Sequence, residues 1–202
     1  MQPKPGPYVP IPEDVVVRFQ ALWDEARQAG IPEASAMSLA TVSSSGQPSV
    51  RTVLLKSWSA HGISFYTNLN SRKAQHLASH PRSAVCFYWR PLWRQVLMEG
   101  EVVRQPDRED DAYWETRPRD HQLGAWSSTQ SQPLSSRDFL ESEYRRYEQF
   151  FADQPVPRPP YWGGFRFHPD LIEFWNGQAG RLHERDRYSV VEGCWNHQLY
   201  FP

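Results

Sequence analysis

Ser49-Val-Arg-Thr-Val-Leu-Leu-Lys56, a short turn, and Ile63-Ser-Phe-Tyr-Thr-Asn-Leu-Asn-Ser-Arg-Lys73 together carry the reading of the fold. They read as two strands followed by a helix that opens at Ser71. Serine is a good N-cap, and Ala74, Leu77 and Ala78 give the helix an apolar side. Arg72 and Lys73 in the first turn are the odd feature, because unpaired N–H groups and the macrodipole already make that end positive. A bound anion such as a phosphate would reverse the argument. Both residues are also good helix formers that solvent can satisfy, so the local sequence leaves the two readings open.

Upstream, residues 1–12 hold five prolines and are expected to be extended or flexible. Val16, Phe19, Leu22, Trp23 and Ala26 recur at helical spacing, which predicts an amphipathic helix from Pro12 to Gly30. Met37 to Val42 is a strand, Ser43 to Gln47 a turn, Ser49 to Trp58 the next strand, and Ile63 to Asn68 completes a meander. Downstream, strands are expected at Ala84 to Trp89 and Arg94 to Arg104, the second bent near Gly100. Asp107 to Arg117 is a short helix that Pro118 terminates. Asp120 to Gln132 is polar and Ser-rich, Ser136 to Phe151 is a helix capped by Ser135 or Ser136, and Pro155 to Pro160 is a connector. Strands at Gly164 to Phe167, Leu171 to Trp175, Arg181 to Val191 and Cys194 to Tyr200 finish the chain. Strands in short-turn succession with a few helices indicate an α+β protein, a mostly antiparallel barrel with helices around it, in one domain over residues 13–202.

The 202 residues can bury a full-sized core, and nine Trp, nine Tyr and ten Phe supply rings for it or for stacking on flat ligands. A net charge of −1 gives no support for general attraction to nucleic acid or membrane surfaces. Cys86 and Cys194 lack metal-ligand spacing; Cys86 reads as a buried thiol, which fits a reducing compartment. No apolar run approaches the ~20 residues of a spanning helix, and the start is not a signal peptide, so a cytoplasmic location is expected.

Arg181-Leu-His183-Glu-Arg185 is the second informative stretch. On a strand, Arg181, His183 and Arg185 share a face, either as a solvated basic edge or opposite a phosphate or electron-rich ring. Tyr113 and Arg117 lie four apart on a helix, an ordinary surface pair or a phenol and guanidinium that jointly hold a phosphate. Lys56 is a further cation, which strand parity places opposite Arg51 unless a bulge intervenes. Walker-type loops, a Gly-x-Gly-x-x-Gly turn, a zinc-hydrolase His pair and a Gly-x-Ser-x-Gly elbow are all absent from the sequence. The residues thus indicate a barrel-like domain suited to phosphorylated ligands, without naming a reaction.

With those residues in view, the chain from Glu33 to its C-terminus resembles the pyridoxamine 5'-phosphate oxidases, flavin enzymes of vitamin B6 metabolism. The likeness rests on Arg51-Thr-Val-Leu-Leu-Lys56, Phe65-Tyr-Thr-Asn68, Ser71-Arg-Lys73, Arg94-Gln95-Val96, Arg117-Pro-Arg-Asp120, Gln122-Leu-Gly-Ala-Trp126, Gln130-Ser131, Trp162-Gly-Gly-Phe165, Ile172-Glu-Phe-Trp175 and Arg181-Leu-His183-Glu-Arg185, in this order. The resemblance implies a split β-barrel homodimer with FMN at the subunit interface. It implies that Arg51, Arg72 and Lys73 hold the FMN phosphate region and that backbone from Thr52 through Val53, Leu54 and Leu55 to Lys56 runs along the flavin. Tyr66, Thr67, Gln95, Gln130, Ser131, Trp175 and Arg185 would complete the cofactor site. Lys56, Tyr113 and Arg117 would grip a substrate phosphate, and Arg181 and His183 would cover the reacting carbon. The implied reaction oxidises pyridoxamine or pyridoxine 5'-phosphate to pyridoxal 5'-phosphate, with O₂ as acceptor and H₂O₂ as product; His183 could help to move a proton. Relatives that oxidise dihydrophenazines, and non-catalytic binders of flavin or B6 phosphates, are the alternatives.

Three departures stand out. His121 occupies a substrate-phosphate position where the family usually has Ser, which predicts affinity falling as pH rises through the imidazole's titration. The proline-rich start lacks the Arg/Tyr segment that often folds over the substrate. The usual Arg-Leu-x-Pro ending reads Gln198-Leu-Tyr-Phe-Pro202.

Overall fold

A computed structural model describes residues 8–202. Most of the stretch expected to be extended or flexible, residues 1–7, lies outside the described residues. Helix α1 (Glu13–Gln28) opens after Pro12 with two acids in its first turn, which complement the helix dipole. Its buried side is Val15, Phe19 and Ala26, one position off the predicted Val16 stripe at its start. The strands are β1 (Ala36–Val42), β2 (Pro48–Leu54), β3 (Ser57–Ser59), β4 (Gly62–Asn68), β5 (Arg82–Trp89), β6 (Arg94–Arg104), β7 (Trp162–Asn176), β8 (Glu184–Val191) and β9 (Cys194–Tyr200). The other helices are α2 (Arg72–Ser79), α3 (Asp107–Glu115), α4 (Arg119–Ser127) and α5 (Arg137–Phe150).

All strand pairs are antiparallel, in the order β2-β1-β5-β6-β7-β4-β3, with β8 added to the far end of β7 and β9 to β8. The two outer strands of that path, β2 and β3, are consecutive in the chain. Only Leu55 and Lys56 separate them, so the sheet curls until its ends meet, giving the half-barrel of a split-barrel protein. Leu55 N–H donates to Ser35 O on one side (2.8 Å) and Lys56 N–H to Ser64 O on the other (2.9 Å). The expected single strand over 49–58 is therefore broken at the seam, and this break removes the parity that set Lys56 opposite Arg51.

The two short strands expected over 164–175 are one long strand, β7. Its register against β6 shifts between Glu99 and Gly100, where a Cβ on Gly100 would overlap the His168 carbonyl. The bend splits β7 into a half paired with β4 (Trp162–Phe167) and a half paired with β8 (Leu171–Asn176).

Two apolar clusters fill the fold. The larger joins α1 to the sheet through Phe19, Met37, Leu39, Phe65, Phe87 and Phe174. The smaller comprises Trp114, Leu123, Phe151, Val156 and Trp162 beneath α3, α4 and α5. Helix α4 lies in the segment read as merely polar and Ser-rich. Its hydrophilic face is exposed, and Leu123 alone is fully buried. Cys86 is half-buried rather than buried, with its thiol pushed up by desolvation, and Cys194 is exposed; neither is paired.

Candidate functional site

The first cluster forms where β2 and α2 meet. Ser71 is the N-cap residue of α2 as expected, but its hydroxyl makes no capping bond; it accepts from Lys73 Nζ instead (3.4 Å). The buried side of α2 is Lys73, Ala74, His76 and Leu77, while Ala78 is exposed, so the helix turns a cation and an imidazole inward. Lys73 is only 8% exposed, and its ammonium donates to Thr67 Oγ1 (2.9 Å) and Gln130 Oε1 (3.0 Å). Desolvation, reinforced by the Arg51 charge, pulls its pKa down to about 8. Arg51 donates to Leu39 O (2.9 Å), Thr41 Oγ1 (2.7 Å) and Ser49 Oγ (2.8 Å). Burial lowers the Arg51 pKa, and the Arg72 charge lowers it further. Ser131, held in the left-handed region (φ 73°), accepts from the Arg72 backbone N–H at 3.2 Å. Among the described residues, no carboxylate pairs with Arg51, Arg72 or Lys73. Two cations bonded to neutral oxygens, Arg51 and Lys73, with the Arg72 charge beside them, form a site built for an anion.

Next to this corner lies a cavity of about 510 Å³ lined by Thr52, Val53, Leu54, Lys56, Tyr66, Thr67, Lys73, Tyr113, Arg117, His121 and Gln130. Among the described residues, strand β2 pairs only with β1, which leaves the other edge of its backbone without a strand partner. Leu55 is buried in the core, and its N–H is taken by Ser35 O. Tyr66 stacks on Tyr113 (4.0 Å) and Trp162 (5.2 Å), and burial, with Asp110, Glu109 and Tyr113 adding to it, raises its pKa to about 12. Arg117 lies past the end of α3, yet shares the cavity with Tyr113. Its guanidinium sits over Trp162 (4.7 Å) and donates to His121 O (2.9 Å); its Nε is buried with no partner among the described residues, and desolvation lowers its pKa. His121 is largely exposed and also borders a second cavity of about 530 Å³ on the other side of Tyr66, Thr67 and Arg117.

A second group gathers at the far end of the sheet. Gln95, Trp175 and Arg185 are lateral neighbours on β6, β7 and β8. Arg185 is already engaged, donating to both oxygens of Glu173 (3.0 Å each), a carboxylate only 3% exposed that also binds Arg187. The strand-face reading of Arg181, His183 and Arg185 fails, because β8 starts only at Glu184. Gly180 (φ 67°) and Arg181 (φ 62°) form a left-handed turn instead. This turn, with Trp93, Gly177 and His183, lines a cavity of about 600 Å³. His183 packs on Trp175 (4.7 Å) and accepts from Gln178 N–H through Nδ1 (3.1 Å), which leaves Nε2 to carry the ring proton.

The single chain does not unite the two groups. Tyr66 pairs with Gly164 at one end of β7, and Trp175 lies eleven residues further along, of order 30 Å of strand. Sequence reasoning missed Trp162, Glu173 and Asp110 as supports. Asp110, fully buried, accepts from Gly164 N–H (2.8 Å) and from Arg104, tying α3 to the strands beneath it. Trp162 and Glu173 sit inside the recognised stretches, but their neighbours across the fold are not encoded in local spacing.

Comparison with known proteins places these features in context. Residues 22–151 match the family described as "Pyridoxamine 5'-phosphate oxidase", and residues 162–202 match "Pyridoxine 5'-phosphate oxidase C-terminal dimerisation region". A protein of Myxococcus xanthus (strain DK1622) named "Pyridoxine/pyridoxamine 5'-phosphate oxidase" is 50% identical over 194 residues, covering 96% of this chain and 94% of that one. A protein of the same name from Alkalilimnicola ehrlichii is 48% identical, covering 94% and 98%. The crystal structure of PhzG from Burkholderia lata 383, in complex with tetrahydrophenazine-1-carboxylic acid, superposes with a TM-score of 0.87 at 30% identity, covering 95% and 93%. An FMN-binding protein from Nostoc punctiforme shares the fold (TM-score 0.75) at 16% identity, covering 92% of this chain and 96% of that one.

Proposed function

The chain belongs to the pyridoxamine 5'-phosphate oxidase family, and from that premise we propose that it binds FMN and oxidises pyridoxamine or pyridoxine 5'-phosphate to pyridoxal 5'-phosphate. The carrying observation is two cation groups, Arg51–Arg72–Lys73 and Lys56–Arg117, with no acid partner among the described residues; Lys73, Lys56 and Arg117 line one cavity, and the charges of Arg72 and Arg51 act on Arg51 and Lys73 in turn. Two such groups suit two phosphorylated ligands.

The residues fit FMN on their own chemistry. The first group is a phosphate-grade donor set, and the open edge of β2 offers main-chain partners to a flat heteroaromatic ring beside it. Thr67, Gln130 and Ser131 orient Lys73 and the start of α2. Held there, FMN would supply the hydride-accepting chemistry, with O₂ as the final acceptor and H₂O₂ as product. The protein's own part is positioning. Lys56, Tyr113 and Arg117 hold the substrate phosphate, with His121 as a further donor at the rim. The Tyr66–Tyr113–Trp162 stack supports Tyr113 and carries the Arg117 guanidinium over the Trp162 ring. Arg181 and the Nε2 side of His183 orient the reacting carbon and take part in proton movement there. These last two, with Gln95, Trp175 and Arg185, come from the partner protomer of a homodimer; the support for this is that the cavity lined by Arg181 and His183 shares no residue with the one lined by Lys73.

Assaying purified protein with FMN for aldehyde and H₂O₂ tests the proposal. Turnover of phosphorylated vitamers and none of the unphosphorylated ones is expected. Turnover confined to a reduced phenazine would transfer the assignment to the chemistry of the B. lata relative, and flavin binding without turnover would leave only a binding protein.

A further inference from the structure

Behind Arg51 stands a buried pair that none of the assignments above uses. Thr41 on β1 is 1% exposed and His76 on α2 is 7% exposed. Arg51 Nη1 donates both of its hydrogens, to Leu39 O and Thr41 Oγ1, and Nη2 gives one to Ser49 Oγ. Among the described residues, the Nε hydrogen and one on Nη2 have no acceptor, and with such a pair a guanidinium grips two oxygens of a phosphate. The direction of the Arg51–Thr41 bond is fixed, because arginine cannot accept. The Thr41 oxygen therefore accepts from Arg51, and its single hydrogen needs another acceptor inside the protein. His76 Nδ1 lies 3.1 Å away.

We propose that His76, through Thr41, is a positioning residue for Arg51: its Nδ1 accepts the Thr41 hydroxyl hydrogen, which turns that oxygen's lone pair to Arg51 and aims the free edge of the guanidinium at the phosphate of the cofactor. The inference rests on the functional reading given above. Three elements meet in the tie. Helix α2 supplies the acceptor as well as Arg72 and Lys73, β1 supplies the relay and β2 the arginine, so the two cation-bearing elements are locked to each other. His76 stays neutral in this arrangement, as desolvation first, then Arg72 and Arg51, lower its pKa against an opposing contact with the Thr41 backbone. Were Nδ1 to donate instead, the Thr41 hydrogen would lose this partner in a site closed to solvent.

Flavin fluorescence titration separates positioning from mere stability, because FMN and riboflavin share the ring and differ in the phosphate. Thr41→Val and His76→Leu are expected to weaken FMN about tenfold, the loss of one charge-assisted hydrogen bond's alignment, with riboflavin unchanged. Thr41→Ser, and His76→Asn with its oxygen near the Nδ1 position, should stay within a factor of about three of the wild type. Equal weakening of both ligands, or unaltered FMN affinity in Thr41→Val, overturns the proposal. Should these variants fail to fold, nitrogen NMR of the wild-type histidines decides it: a neutral His76 with its proton on Nε2 is expected, and a proton on Nδ1 overturns it. Wild-type protein that binds neither flavin would count against the proposed function, and the tautomer would still decide this inference separately.

Discussion

Lys73 shows what a single residue contributes. An ammonium that is almost wholly enclosed and bonded only to neutral oxygens is costly in the empty protein and repaid when an anion arrives. With its folded pKa at about 8 and an unfolded value near 10.4, the unfolded chain holds more protons between these pH values. The Lys73 contribution to the stability of the ligand-free protein therefore rises across that window. FMN affinity has the opposite sign. A bound phosphate raises the Lys73 pKa, so affinity falls above pH 8, by as much as about tenfold per pH unit until the bound-state pKa is reached. Titrations between pH 7 and 9.5 should show this fall, and Lys73→Met should bind FMN more weakly at pH 7 with a flatter profile. The cation itself was legible in the sequence, out of place in a helix's first turn. Its burial, the tie of Arg51 to Thr41 and the engagement of Arg185 by Glu173 depend on partners distant in the chain, which no local spacing reveals.

Elements set how these residues face one another. Asp110 secures α3 to β7 through Gly164 N–H and to β6 through Arg104, and Arg158 also approaches its carboxylate (3.8 Å). Asp110→Ala leaves a buried N–H and two guanidinium groups short of an acceptor, and should cost about 3 kcal/mol in denaturant unfolding. Asp110→Asn can still accept from Gly164 and should cost about half as much. Most elements followed from periodicity and punctuation: α1, α3, α5 with its Ser136 cap, the first hairpin and the Gly100 bend. Ser136 Oγ accepts from Phe139 N–H at 3.1 Å, the bond that a serine N-cap is expected to make. Helix α4 escaped because one buried Leu among polar residues gives almost no helical stripe. The break at Leu55–Lys56 escaped because the apolar run Val53-Leu54-Leu55 continues the strand up to a seam that only closure of the sheet creates. The Gly180–Arg181 turn escaped because alternating basic residues imitate a strand even when a left-handed turn precedes it.

At the scale of the whole molecule, β7 runs from Trp162, beside Tyr66 and Arg117, to Trp175, beside His183, and the cavities that the two residue groups line share no residue. The resemblance implied that the cations converge at the interface of a dimer; in the single chain they form two groups, one around α2, α3 and α4 and one around the β7–β8 end. A C2 pairing would bring the first group of each protomer to the second group of its partner, making two equivalent sites. Exposed Leu199, Tyr200 and Phe201 lie in the dimerisation region matched by residues 162–202. Co-expression of Arg117→Met with Arg181→Met, each inactive by itself, measures this arrangement directly. Random pairing leaves one intact site in every heterodimer, so about a quarter of wild-type turnover should return. Heterodimers that form and remain inactive would show that each chain builds its own site, and would contradict the account.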